Sequence, residues 1–168
     1  MRQLLLLLLL PIYCACLPAN AAQANSPDPA IDILLDGFHA AAAAADFEDY
    51  FGRFAADGIF MGTDASERWT LAEFKAYAQP VFARGQGWTY APLERHTAIA
   101  ANGQVAWFDE ILNNSKLGRC RGTGVLTRSN ADQPWRISHY SLTLLVPNSI
   151  AAEVGAQSRK IDAAAQLP

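Results

Sequence analysis

The sequence predicts an α+β domain in which N-terminal helices pack on a strongly curved antiparallel sheet. Three observations predict it: Asp28-Pro29 opens an apolar stripe at helical spacing, Thr70-Leu71-Ala72-Glu73 opens another, and after Gly87 the apolar period changes from helical to alternating. The alternating part, about residues 88–147, reads as a four-strand meander.

Residues 1–24 stand apart from that fold. Arg2 precedes residues 4–10, all leucine, a run far shorter than the ~20 residues that span a bilayer. Ala19-Asn20-Ala21 and Ala22-Gln23-Ala24 both fit the small-x-small rule for signal peptidase. The expectation is a signal peptide cut after Ala21 or Ala24, a periplasmic or secreted product, and no stable membrane anchor. A lipoprotein is the weaker reading, because Cys16 follows Tyr13, Cys14 and Ala15 rather than a leucine and small residues. Without Arg2 the formal net charge passes from −3 to −4, which argues against nucleic acid as a partner. Cys14 and Cys16 leave with the leader, so Cys120 closes no internal disulfide and is expected to be a buried thiol.

In the first helix Asp28 is the N-cap, Pro29 takes the first helical position, and Ile31, Leu34, Leu35, Phe38, Ala42 and Ala45 recur on one face. Residues 47–54 read as a second short helix, Asp57-Gly58 as a turn, and residues 59–62 as a short strand. Thr70 and Glu73 form a capping box, after which Leu71, Phe74, Tyr77, Ala78, Val81 and Phe82 form an apolar stripe; Pro80 should kink or loosen its end, and Gly85 and Gly87 stop it.

Asn102-Gly103 between Ile99 and Val105 is a strong hairpin signal, and residues 113–118 and 129–134 make the next turns. Strands of roughly nine to twelve residues should coil, with Gly122 and Gly124 where the sheet bends or another group approaches closely. Residues 149–168 form an amphipathic helix or tail, capped by Asn148, whose Ile150, Val154 and Ile161 could dock or fray.

Phe60-Met61-Gly62-Thr63-Asp64, Glu67, Trp69, Ala106-Trp107-Phe108, residues 121–126, residues 135–140 and Val146-Pro147-Asn148, in this order and spacing, resemble the SnoaL-like domain proteins of the nuclear transport factor 2-like superfamily. The resemblance runs from about Ile31 to Asn148, within a domain taken as residues 25–148. It implies a cone-shaped fold with a pocket between the curved sheet and the helices. It implies little about chemistry, because the superfamily includes isomerases, cyclases, dehydratases, binding proteins and assembly domains.

Strand alternation puts Trp107 and Asp109 on one face and Phe108 and Glu110 on the other; it also groups Trp135, Ile137 and His139. With Trp107, Asp109 and His139 facing the pocket, Asp109 and His139 would be an acid–base pair, and Tyr140 a donor. Asp64 and Glu67 lie in a loop at the rim, where Asp64 could close an Asx-turn and Glu67 could pair with Arg68 or Arg121. Arg119 and Arg121 share a face that could receive a carboxylate or phosphate. The candidate ligand-binding residues are thus Asp64, Glu67, Trp107, Arg121, Trp135 and Tyr140. His39 and His96 have no partner at recognisable spacing and read as ordinary helix or surface histidines. No metal-ligand spacing, phosphate loop or nucleophile elbow implies a metal or other cofactor.

The leading expectation is a protein that binds a small molecule in a conical pocket. The alternatives are an acid–base enzyme of the isomerase, cyclase or dehydratase kind, and a homodimer or assembly module held through exposed Leu142 and Leu144.

Overall fold

Asp28 caps its helix in the computed structural model, which describes residues 28–165. Its carboxylate accepts the Ala30 amide at 3.0 Å, and Pro29 starts α1 (Pro29–Ala44). The apolar stripe of α1 is buried, and Ala45 ends the helix in the left-handed region (φ 53°). Asp46 then caps α2 (Phe47–Gly52) by accepting the Asp49 amide at 3.0 Å. Arg53 clamps the start of the fold together: its Nη2 binds both oxygens of Asp49 at 2.9 and 2.8 Å, and its Nη1 donates to the Leu34 carbonyl at 3.3 Å. The guanidinium lies where a side chain on Gly37 would stand.

The second helix is shorter than expected because β1 (Phe54–Met61) begins early. The Arg53 carbonyl already accepts the Ile137 amide at 2.9 Å, so the chain joins the sheet before Asp57-Gly58. Instead of a turn, that dipeptide lies in a bulge of the strand: Phe54 pairs with Ile137 and Ile59 with His139. A short strand not foreseen from sequence, β2 (Arg68–Thr70), pairs antiparallel with β1. The capping box forms as expected, with Glu73 Oε2 accepting the Thr70 amide at 2.8 Å, and α3 (Leu71–Phe82) runs through Pro80.

The meander forms over β3 (Ala91–Ile99), β4 (Val105–Asn114), β5 (Gly118–Thr127) and β6 (Arg136–Leu144). The sheet order is β2-β1-β6-β5-β4-β3, with β1 parallel to β6 and every other neighbouring pair antiparallel. Gly103 takes a positive φ of 67° in the first hairpin, as its Asn-Gly signal requires. Helices cover one face of the sheet, and the inner residues of β4 are Ala106, Phe108, Glu110 and Leu112, all buried. Their alternates Trp107 and Asp109 are exposed on the outer face.

A second bulge decides the facing of β6. Val125 pairs with His139 but Leu126 pairs with Ile137, so one residue is extra on β6 and the alternation changes phase. Ile137 and Tyr140 are therefore buried inside, while His139 goes out. Cys120 is buried and free. Beyond the sheet, α4 (Ala151–Ala165) is helical but undocked, with Ile150 just before it and Val154 and Ile161 within it exposed by 45%, 37% and 69%. No helix among the described residues is long and apolar enough to cross a membrane.

Candidate functional site

Glu110 organises the site. It stands on the inner face of β4 with no exposed surface, among apolar neighbours that would reject an unpaired carboxylate. Its Oε1 lies 2.7 Å from His39 Nε2 and accepts the Tyr140 hydroxyl at 3.1 Å. Its Oε2 accepts Arg95 Nε at 3.0 Å; Arg95 Nη2 is equally close but off hydrogen-bond geometry. Arg95 Nη1 then reaches Asp32 at 3.0 Å and Asp36 at 2.9 Å on α1. A chain of charges thus ties the inner sheet to the helix above it. The two aspartates are half exposed or more, so the charge pairing that counts energetically is the buried one to Glu110.

As a carboxylate, Glu110 accepts and cannot donate, so His39 must offer Nε2–H, and neutral His39 carries its lone pair on Nδ1. Burial acts to lower the Arg95 pKa, but Glu110, Asp32 and Asp36 outweigh it and hold the guanidinium above its ordinary value. Burial, followed by the Glu110 charge, pushes the Tyr140 phenol well above the usual tyrosine value. Gly122 pairs with Glu110 across the sheet, and a Cβ there would strike the Tyr140 hydroxyl and approach Glu110 Oε1 to 2.9 Å. Only a residue without a side chain lets those groups meet over β5.

Above this network lies a cavity of about 240 Å³. His39 and Phe38 of α1, Tyr140 and Leu142 of β6, and Tyr50 of α2 border its deep side. Phe60, Trp69, Phe74, Tyr77 and Trp88 build the walls, with Tyr90, Thr63 and Glu67 towards the rim. The wall rings share an orientation: Trp69 and Phe74 are 4° from parallel, Phe60 and Tyr140 5°, and Tyr77 and Trp88 7°. Phe60 stacks on Phe74 at 4.0 Å between centroids, and Trp69 on Tyr77 at 4.6 Å.

Among the residues singled out from sequence, Tyr140 and Glu67 border this cavity. Asp64 stands in the adjoining loop, where its Oδ1 accepts the Ser66 amide at 2.9 Å and hydroxyl at 2.6 Å, an Asx-turn. Those bonds hold its carboxyl below the usual range. Glu67 pairs with neither Arg68 nor Arg121; its Oε2 accepts the Asp64 amide at 3.2 Å.

The other placements are corrected. Trp107 is 52% exposed and Asp109 exposed, both on the outer face, because the apolar alternates Ala106, Phe108 and Leu112 claim the interior. The β6 bulge turns His139 outward, where its Nε2 lies 3.3 Å from the Met61 sulfur. Arg121 is exposed on the same outer face. Trp135 is buried away from the cavity, its Nε1 donating to Asp28 at 2.9 Å beneath the Arg128 guanidinium. Asp109 and His139 therefore do not meet in the pocket. Leu142 is buried in the cavity wall rather than exposed, which removes half of the apolar patch expected of a dimer. His39, read as ordinary, is 6% exposed and bonded to Glu110. The signal for it was present: His39 interrupts the apolar stripe of α1, just as Glu110 interrupts that of β4.

Three phenols of the cavity have raised pKa values. Tyr50 is raised by burial and then by Tyr90, Tyr140 as above, and Tyr90 by burial and then by the Cys120 and Glu67 charges, to about 12. A raised acid pKa means that the folded state keeps a proton the unfolded chain loses. Their contribution is complete below the unfolded tyrosine value of about 10 and is lost as pH rises past it. Denaturant titration should show stability falling above that pH, with Tyr50 and Tyr140 ionising only on unfolding and Tyr90 only towards about pH 12. Ionisation of all the tyrosines near the free value in the folded protein would contradict this.

The SnoaL-like domain family matches residues 31–147. No curated protein matches the chain. Among solved structures, a cystatin-like fold protein from Burkholderia xenovorans aligns with a TM-score of 0.60 at 13% identity, over 74% of this chain and 98% of that one. A ketosteroid isomerase-like protein from Erwinia carotovora atroseptica gives 0.52 at 18% identity, over 71% and 96%. A nuclear transport factor 2-like protein of unknown function from Pseudomonas putida gives 0.58 at 12% identity, over 70% and 86%. At such identities these likenesses concern the fold. With helices over a curved, mostly antiparallel sheet and the family match spanning most of its length, the chain belongs to the SnoaL-like domain family.

Proposed function

We propose that the cavity binds a small, flat, largely apolar molecule whose polar group meets His39 and Tyr140. The observation that carries this reading is the aromatic lining, whose rings lie near parallel: Phe60 with Tyr140, Trp69 with Phe74 and Tyr77 with Trp88 within 4–7°. A planar ligand lying along it would stack offset against several rings at once. Its volume, about 240 Å³, falls below the ~300–1,000 Å³ of drug-sized pockets and suits one or two fused rings.

A second reading, acid–base catalysis, is favoured by the buried His39–Glu110 pair and moves there from Asp109 and His139. Glu110 would position the imidazole, and His39 would exchange a proton with the ligand. The Tyr140 hydroxyl, its proton given to Glu110, borders the same space and can accept from a ligand N–H or O–H.

Mono- and bicyclic aromatic compounds with one polar substituent should raise the melting temperature of the purified protein by several degrees at concentrations far above Kd. His39→Ala or Tyr140→Phe should weaken the best compound about tenfold, the scale of a lost hydrogen bond, whereas Trp107→Ala and Asp109→Asn on the outer face should not. No shift from any compound, or equal weakening by the outer-face variants, would sink the reading.

We also propose that residues 1–24 direct export. The leucine run behind Arg2 and the small residues before Asn25 support it. Mass spectrometry of the protein from a bacterial periplasmic fraction should give a chain beginning at Ala22 or Asn25; full-length protein confined to the cytosol would contradict it.

A further inference from the structure

We propose that the flat molecule held in the pocket is a cation, of the class of protonated or quaternary nitrogen heteroaromatics. The inference rests on the cavity being a small-molecule site, and it assigns the sign of the ligand's charge. Among the described residues no lysine or arginine borders the cavity, whereas Glu67 does. Its carboxylate is seated over Gly62, where a Cβ would collide with it, and Oε2 accepts the Asp64 amide at 3.2 Å. That fixes a negative group at the rim.

The walls reinforce the same sign. Phe60, Trp69, Tyr77 and Trp88 line the space, and an aromatic face left open to it carries the negative part of the ring quadrupole. A cation stacked among these rings is attracted by the faces and by the rim carboxylate together. Behind the deep side, Glu110, Asp32 and Asp36 share the one guanidinium of Arg95, so the α1 side adds no positive excess. His39 borders the cavity, and with Nε2–H engaged by Glu110 a neutral imidazole keeps only an acceptor, Nδ1, for the N–H of a protonated ligand. An anion would find no fixed positive charge in the lining, and a neutral ring would gain stacking but leave Glu67 to water.

The test compares three bicyclic probes of matched shape: 1-methylquinolinium, neutral 1-methylnaphthalene and anionic 1-naphthoate, each titrated into the purified protein and followed by protein NMR. The cation should bind about tenfold or more tighter than its neutral isostere, a scale set by a desolvated cation–π contact, and the anion should bind weakest. In Glu67→Gln the ratio of cation to neutral affinities should fall towards one. Neutral binding equal to or tighter than the cation's would overturn the charge assignment while leaving the small-molecule site standing. Failure of all three probes to perturb the cavity residues would overturn both.

Discussion

A carboxylate with no exposed surface, Glu110, is the constraint on which the rest of this structure depends. Burying such a charge costs several kcal/mol unless it is paired and hydrogen-bonded, and removing one partner of a buried pair typically costs ~3–5 kcal/mol. The donors come from separate parts of the chain: His39 from α1, Arg95 from β3 and Tyr140 from β6. Satisfying Glu110 therefore fixes how the first helix sits on the meander. It also explains why β5 carries glycine at 122, since any side chain there would occupy the space in which Tyr140 reaches the carboxylate. Such a network contributes specificity of arrangement more than net stability.

The same arrangement connects fold to function. With Glu110 spent on His39, Tyr140 and Arg95, the groups left to meet a ligand are the imidazole and the phenol, both bordering the cavity. The surrounding rings are held by packing rather than by polar contacts, so the polar floor and the stacked walls have separate tasks. The floor orients, and the walls select shape. Glu67, set apart at the rim in its own loop, adds charge to that selection.

Much of the fold was legible because local signals and tertiary structure agree. Asp28-Pro29, the Thr70–Glu73 box and Asn102-Gly103 each satisfy backbone groups within a few residues, and each forms as read. Asp57-Gly58 did not, because strand pairing of Arg53 with Ile137 overrides a local turn preference. For the site, alternation correctly separated Trp107 and Asp109 from Phe108 and Glu110, but the choice of the inner face was wrong. Asp109 beside a tryptophan looked like chemistry, whereas Ala106, Phe108 and Leu112 made the better core face, with Glu110 carried inside among them. The facing of His139 depended on one bulged residue in β6, which no period in the letters discloses. The partnership of His39 with Glu110 spans 71 positions, and only the packed fold brings the two together.

The central claim is that Glu110 holds His39 in one tautomer, Nε2–H, with the Nδ1 lone pair left for a ligand. Nitrogen-15 NMR of histidine-labelled protein, recorded above the ordinary histidine titration range, reads this directly. The result expected is an Nε2-protonated His39 whose proton exchanges slowly with water and is released to fast exchange in Glu110→Gln. A His39 protonated on Nδ1, or a mixed tautomer exchanging freely and indifferent to Glu110→Gln, would contradict it.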